Sequence, residues 1–179
     1  MDDVAKELGM SKKTIYQCVE NKAELVHLTL KNYLNEERAT LESIMKESDN
    51  SIDEMIQMIS YFFNQVRDFD TTSMSDLKKY YHETWNMYLD YRYQFLQKLF
   101  TENLQRGIKQ GVYRKDLNAV IIARMHISAV DVMFDQQVFP PREFVFLNVY
   151  KAYLHYHLRG IVSPKGMKVL EQHNFLKAH

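Results

Sequence analysis

Five glycines and three prolines in 179 residues leave this chain almost no means of breaking a helix. Between those few stops run long stretches of Leu, Lys, Glu, Met, Ala and Gln, residues that lose little freedom on entering a helix, so the expected fold class is all-α. Hydrophobic residues make up 46% and charged residues 26%, enough for one or two compact domains with a buried core. The lone Cys18 cannot form an internal disulfide, nothing resembles a signal peptide, and no apolar run approaches the roughly 18 residues that span a bilayer. A cytoplasmic protein without a membrane partner is expected. Formal net charge is zero, so any contact with nucleic acid must come from a local face rather than from the whole chain.

The first 25 residues, "MDDVAKELGMSKKTIYQCVENKAEL", supply such a face. Asp2 or Asp3 can cap a short helix carrying Val4, Ala5 and Leu8 on one side. Gly9 stops it in the left-handed conformation, Met10 fills the turn, and Ser11 can cap a second helix, "KKTIYQCV". Val4, Leu8, Met10, Ile15 and Cys18 or Val19 supply apolar contacts, and small Ala5 suits the close approach of two steeply crossing helices. Lys12, Lys13, Thr14, Tyr16 and Gln17 are left facing outward beside Ser11, a mixture able to touch phosphates and base edges in a major groove. Asn21 then caps a third helix.

The string "DDVAKELGMSKKTIYQ" followed by "ENKAELV" closely resembles the DNA-binding signature of the TetR family of bacterial transcriptional regulators. The resemblance implies that "VAKELG" is the family's second helix, "SKKTIYQCV" its recognition helix and "NKAELV" the start of its fourth. Ser11, Lys12, Lys13, Thr14, Tyr16 and Gln17 become the DNA face, and Lys22 matches a family lysine that touches a backbone phosphate. Where many members carry an aromatic pair, this chain has Cys18 and Val19. The family also has a first helix of a dozen or more residues ahead of this motif. A helix ahead of the motif is therefore expected, with Met1 an internal methionine, because Val4, Leu8 and Ile15 left uncovered would each forfeit roughly 1.5–3 kcal/mol.

Beyond the motif, residues 1–45 are expected to form an incomplete helix-turn-helix domain with the start of a connecting helix, and residues 46–179 a helical effector-binding and dimerisation domain. The connecting helix should run from Asn21 to about Ser48 with Leu25, Leu28, Leu34, Leu41 and Ile44 as its apolar stripe, while Glu36, Glu37, Glu42, Glu47 and Asp49 read as a solvated face. "SIDEMIQMISYFFNQVRDF" has helical spacing, with Ser51 as cap and Glu54 completing a capping box. "DTTSMS" reads as a loop, and "DLKKYY" as a short helix leading, with or without a kink, into a long one that closes between Gly107 and Gly111. "LNAVIIARMHISAVDVMF" is apolar around most of its circumference, so both its own core and a second body are expected to cover it. With "REFVFLNVYKAYLHYHLRG" it makes a candidate dimer face, comprising Ile127, Val130, Phe134, Phe146, Val149, Tyr150, Tyr153 and Leu154. The tail from Gly160 to His179 is expected to be partly disordered.

Enzyme chemistry finds little support. Glu24 and His27 form the only Glu-x-x-His pair, His155 and His157 diverge on their helix, and no phosphate loop, nucleophile elbow, CxxC or HExxH is present. No metal, catalytic residue or cofactor is expected. Twelve Tyr, ten Phe and ten Met exceed the needs of a simple core. The resemblance implies a small-molecule cavity, with Tyr61, Phe62, Tyr81, Trp85, Tyr88, Met125 and His126 as candidate ligand-binding residues and a hydrophobic or aromatic effector. The function expected is a homodimeric repressor released from a palindromic DNA operator by that effector. The rival is a dimeric small-molecule-binding module that does not bind DNA.

Overall fold

The computed structural model describes residues 1–67 and 71–173. Ten α-helices are present among them: α1 (Asp2–Glu7), α2 (Lys12–Ile15), α3 (Lys22–Glu47), α4 (Ser51–Arg67), α5 (Thr71–Tyr80), α6 (His82–Asp90), α7 (Gln97–Gln110), α8 (Ala119–Phe134), α9 (Phe146–Ile161) and α10 (Pro164–Gln172). A π-helical segment, Tyr91–Leu96, joins α6 to α7. Among the described residues β-pairing is limited to one isolated bridge, Tyr113 with Val162, and no helix is long and apolar enough to cross a membrane. The all-α expectation is met.

Two hydrophobic clusters form. The smaller buries Ala5, Ile15 and Val19, with Met1 and Leu25 against them. The larger runs from Leu41 through α4, α7, α8 and α9 to Leu170. The 26 residues of α3 link the two regions, a span of about 39 Å at 1.5 Å per residue.

Local signals explain most boundaries. Asn21 accepts the Glu24 N–H at 3.0 Å and starts α3, and Glu24 returns a contact of 2.5 Å to the Glu20 N–H. At α4 the cap is Asn50 rather than the expected Ser51: its Oδ1 accepts from Ile52 and Asp53, while the Ser51 hydroxyl is buried without a hydrogen bond. Residues 71–75, expected as loop, open α5; Asp70 of that stretch lies outside the described residues. Tyr81 breaks the path between α5 and α6 at φ −131° and ψ 63°. α7 stops at Gly111, whose φ of 72° few side chains tolerate.

Within the tail, residues 164–172 are helical. Ser163 caps α10, Leu170 is fully buried, and Gly166 sits so close to the Val112 carbonyl oxygen that a Cβ there would lie 1.9 Å from it. Apolar burial and a close backbone contact therefore order residues 164–172; residues 174–179 lie outside the description.

Candidate nucleic-acid interface and effector cavity

The first candidate site is the tip formed by α1 and α2. Gly9 adopts φ 61°, the left-handed geometry needed to reverse the chain, and the Ser11 hydroxyl accepts the Thr14 N–H at 3.1 Å. α2 is shorter than expected. Regular helix ends at Ile15, although Tyr16 N–H still reaches the Lys12 carbonyl and Val19 N–H that of Ile15. Ile15 and Val19 point inward, which resolves the choice between Cys18 and Val19, and Cys18 is exposed. Val4, Leu8 and Met10, expected as apolar contacts, are 37%, 58% and 52% exposed.

Ser11, Lys12, Lys13, Thr14, Tyr16, Gln17 and Lys22 are all exposed, as a surface that meets a large partner requires. Lys12 pairs with Asp2 at 2.5 Å, and the hydroxyls of Ser11 and Thr14 share a hydrogen bond of 2.8 Å. Both contacts lie at the surface, where an ion pair contributes little and is easily exchanged. Lys22 opens α3, so its charge stands at the positive end of that helix's dipole.

The second site is a cavity in the bundle, with about 980 Å³ of empty space counted out to its open mouth. α3 supplies Leu30, Tyr33, Leu34 and Glu37 to its wall; the opposite side comes from Phe62, Tyr88, Arg92, Phe100, His126, Ile127 and Tyr150 among others. The wall is overwhelmingly apolar, as ligand pockets are. Of the expected ligand residues, Phe62, Tyr88 and His126 line it. Tyr61, Tyr81 and Trp85 are half-buried but not in the wall, and Met125 points out to solvent at 62% exposure.

Two charged wall residues went unanticipated. Glu37, expected on a solvated face, is 5% exposed and accepts the Tyr33 hydroxyl at 3.1 Å. Burial pushes its carboxyl above the ordinary range, opposed by the nearby phenols of Tyr91 and Tyr33. Tyr91 approaches Glu37 closely enough for that effect, yet its buried hydroxyl makes no hydrogen bond of good geometry. Arg92 is 3% exposed, bonds Asp131 through Nη1 and donates from Nη2 to the Ile127 carbonyl at 2.6 Å. Tyr91 and Arg92 are consecutive, both buried, and open the π-helical segment. His126 meets the Tyr153 hydroxyl at 3.0 Å and lies tilted against the His157 ring, and burial holds both imidazoles well below their usual range.

The face proposed from sequence for dimer contact turns inward in large part. Ile127, Tyr150 and Leu154 are 3%, 5% and 0% exposed in the chain's own core, so they are unavailable to a partner. Val130, Phe134 and Phe146 line the cavity, and Val149 and Tyr153 pack against the core. The outward apolar residues on the same two helices are Val120, Ile121, Met125, Val132 and Tyr156.

No family model matches the chain. An uncharacterised helix-turn-helix transcriptional regulator of Bacillus subtilis, YvaF, is 22% identical over 92% of this chain and 86% of its own length. A TetR-family regulator from Agrobacterium tumefaciens superposes with a TM-score of 0.75 at 18% identity, covering 90% of this chain and 86% of that one. The fold is that of the TetR family. Bacillus subtilis FadR, solved in complex with stearoyl-CoA, shares this TetR-like arrangement at a TM-score of 0.63 and 17% identity, covering 89% and 87% of the two chains. The TetR fold accords with the signature in residues 1–25.

Proposed function

We propose that the chain acts as a homodimeric transcriptional repressor whose α2 residues read a palindromic operator and whose cavity binds the effector that releases it. The supporting observation is α3. One unbroken helix begins at Lys22, behind α2, and places Leu30, Tyr33, Leu34 and Glu37 in the cavity wall. Residues 1–45 act as the reading domain with the start of the connecting helix, and 46–179 as the effector and dimer domain; two separate hydrophobic clusters support such a division, with Leu41, Ile44 and Met45 at the end of α3 packing into the second.

A rigid helix transmits tilt. Half-sites on DNA lie about 34–36 Å apart, so an effector that wedges against the middle of α3 moves two α2 helices out of register with successive grooves. His27, early in α3, meets Thr84 of α6 at 3.2 Å, a contact that ties the upper part of the same helix to the bundle. The effector acts only through its different affinities for the two tilts. The dimer forms through the outward faces of α8 and α9, where Ile121, Met125 and Val132 fall on one stripe.

The deciding experiment is selection of bound fragments from genomic DNA by the purified chain. An inverted repeat with half-sites one helical turn or a multiple apart is the expected outcome. Absence of any enriched sequence at low salt would reject the repressor and favour the small-molecule module without DNA binding.

A further inference from the structure

The cavity wall holds one ionisable group without a counter-ion, and it is a carboxyl. Three wall residues can be ionic: Glu37, Arg92 and His126. Arg92 is matched, since its guanidinium pairs with Asp131 and also holds the Ile127 carbonyl. His126 is neutral, buried between the Phe100 ring at 4.5 Å and the His157 ring at 4.6 Å. Glu37 alone has no cation: among the described residues it makes no ion pair. Its chain neighbour Arg38 lies over the Phe95 ring at 4.3 Å instead. The phenol of Tyr33 satisfies one lone pair but carries no charge.

A carboxylate held among apolar walls without a counter-ion is costly, and an empty cavity relieves the cost by keeping the proton on. A positive ligand relieves it differently, by supplying the missing partner. The rings of Phe62 and the partly exposed Tyr33 stand in the same wall, while that of Tyr88 already faces the Arg92 guanidinium at 5.5 Å; aromatic faces attract cations, most strongly where water is excluded.

Resting on the reading of this cavity as the effector site, we propose that it takes an organic cation: an apolar or aromatic body bearing an ammonium-type charge that seats beside Glu37. A neutral ligand leaves the carboxyl unmatched. An anion meets it as a like charge and must displace Asp131 to reach Arg92.

Calorimetric titration of the full chain with two probe pairs of matched shape and opposite charge tests this: decyltrimethylammonium against decanoate below their micellar ranges, and tetraphenylphosphonium against tetraphenylborate. In at least one pair the cation should bind tenfold or more tightly than its anion, and Glu37→Gln should abolish the difference. Equal or tighter binding of the anion in both pairs overturns the proposal, as does a preference that survives Glu37→Gln. If the Gln variant does not fold, the comparison within each pair on the unaltered chain still decides. Binding without charge preference removes this inference and leaves the cavity reading standing; failure of all four probes removes both.

Discussion

Tyr33 donates its phenolic hydrogen to Glu37 across 3.1 Å, one turn apart on the helix that leads from the reading tip to the cavity. Burial raises the Glu37 carboxyl above its ordinary 4.5. In the window between 4.5 and that raised value the folded chain holds a proton that the unfolded chain has released. Stability therefore falls as pH rises through the window, and the loss persists above it. Glu37→Gln should match the unaltered protein near pH 4 and melt higher at pH 8, by about 2–4 °C for each kcal/mol relieved. Thermal unfolding at the two pH values measures this. An equal or lower midpoint at pH 8 would mean that the carboxylate is better compensated than its surroundings indicate.

The buried imidazoles predict the opposite slope. Burial holds His157 at about 4 against an ordinary 6.5, and His126 is displaced in the same direction. Between those values the unfolded chain takes up protons that the folded chain refuses, so stability is lost as pH falls from 6.5 toward 4. His157→Gln should flatten that fall. Urea midpoints at several pH values report it, and an unchanged slope would assign the acid sensitivity to other groups.

Substitutions on α8 and α9 should separate into two kinds. Leu154→Ala opens a fully buried site and should cost about 2–5 kcal/mol of folding stability. Met125→Glu alters a residue that is 62% exposed and should leave helical content intact while converting dimers to monomers. Circular dichroism and sedimentation equilibrium distinguish the two. A Met125→Glu chain that remains dimeric would place the partner surface elsewhere.

On the DNA face, Lys22→Ala and Tyr16→Phe should weaken binding to all sequences alike, and loss of Lys22 should reduce the slope of log affinity against log salt by about 1. Thr14→Ala and Gln17→Ala should instead change which bases are preferred. Equilibrium binding to the selected operator and to base-substituted variants resolves these patterns. Binding indifferent to all four would reject this face.

Gly166→Ala tests the packing of α10. The added Cβ would collide with the Val112 carbonyl, a backbone atom that cannot rotate away. A loss of about 1–3 kcal/mol is expected from such overpacking, read by denaturant unfolding. Gly160→Ala, which meets nothing within 4 Å, is the control.

Capping chemistry made the start of α3 readable from sequence, because Asn21 and Glu24 act through neighbours only three residues apart. The turn at Gly9 was readable for the same reason, since its backbone geometry is a local requirement. The inward face of α8 and α9 was not. A helix apolar on nearly every side carries no periodic signal to choose between its own core and a partner, and Ile127, Tyr150 and Leu154 went to the core. Glu37 misled in the other direction: four neighbouring acidic residues suggest a solvated face, and although Tyr33 lies one turn away on the same helix, only the tertiary arrangement brings Tyr91 and the bundle to bury it. Arg92 of the cavity wall pairs with Asp131, 39 positions away, beyond any local pattern.

The π-helical segment has a consequence for how such a site can change by descent. A turn of this kind holds one residue more than the α-helical turns beside it, so removal of one residue between 91 and 96 can return it to α-geometry while the flanking helices keep their phase. Such a deletion would re-aim Arg92 in the cavity wall and spare the scaffold. Ligand preference and architecture can thus be inherited separately, divided by a single codon.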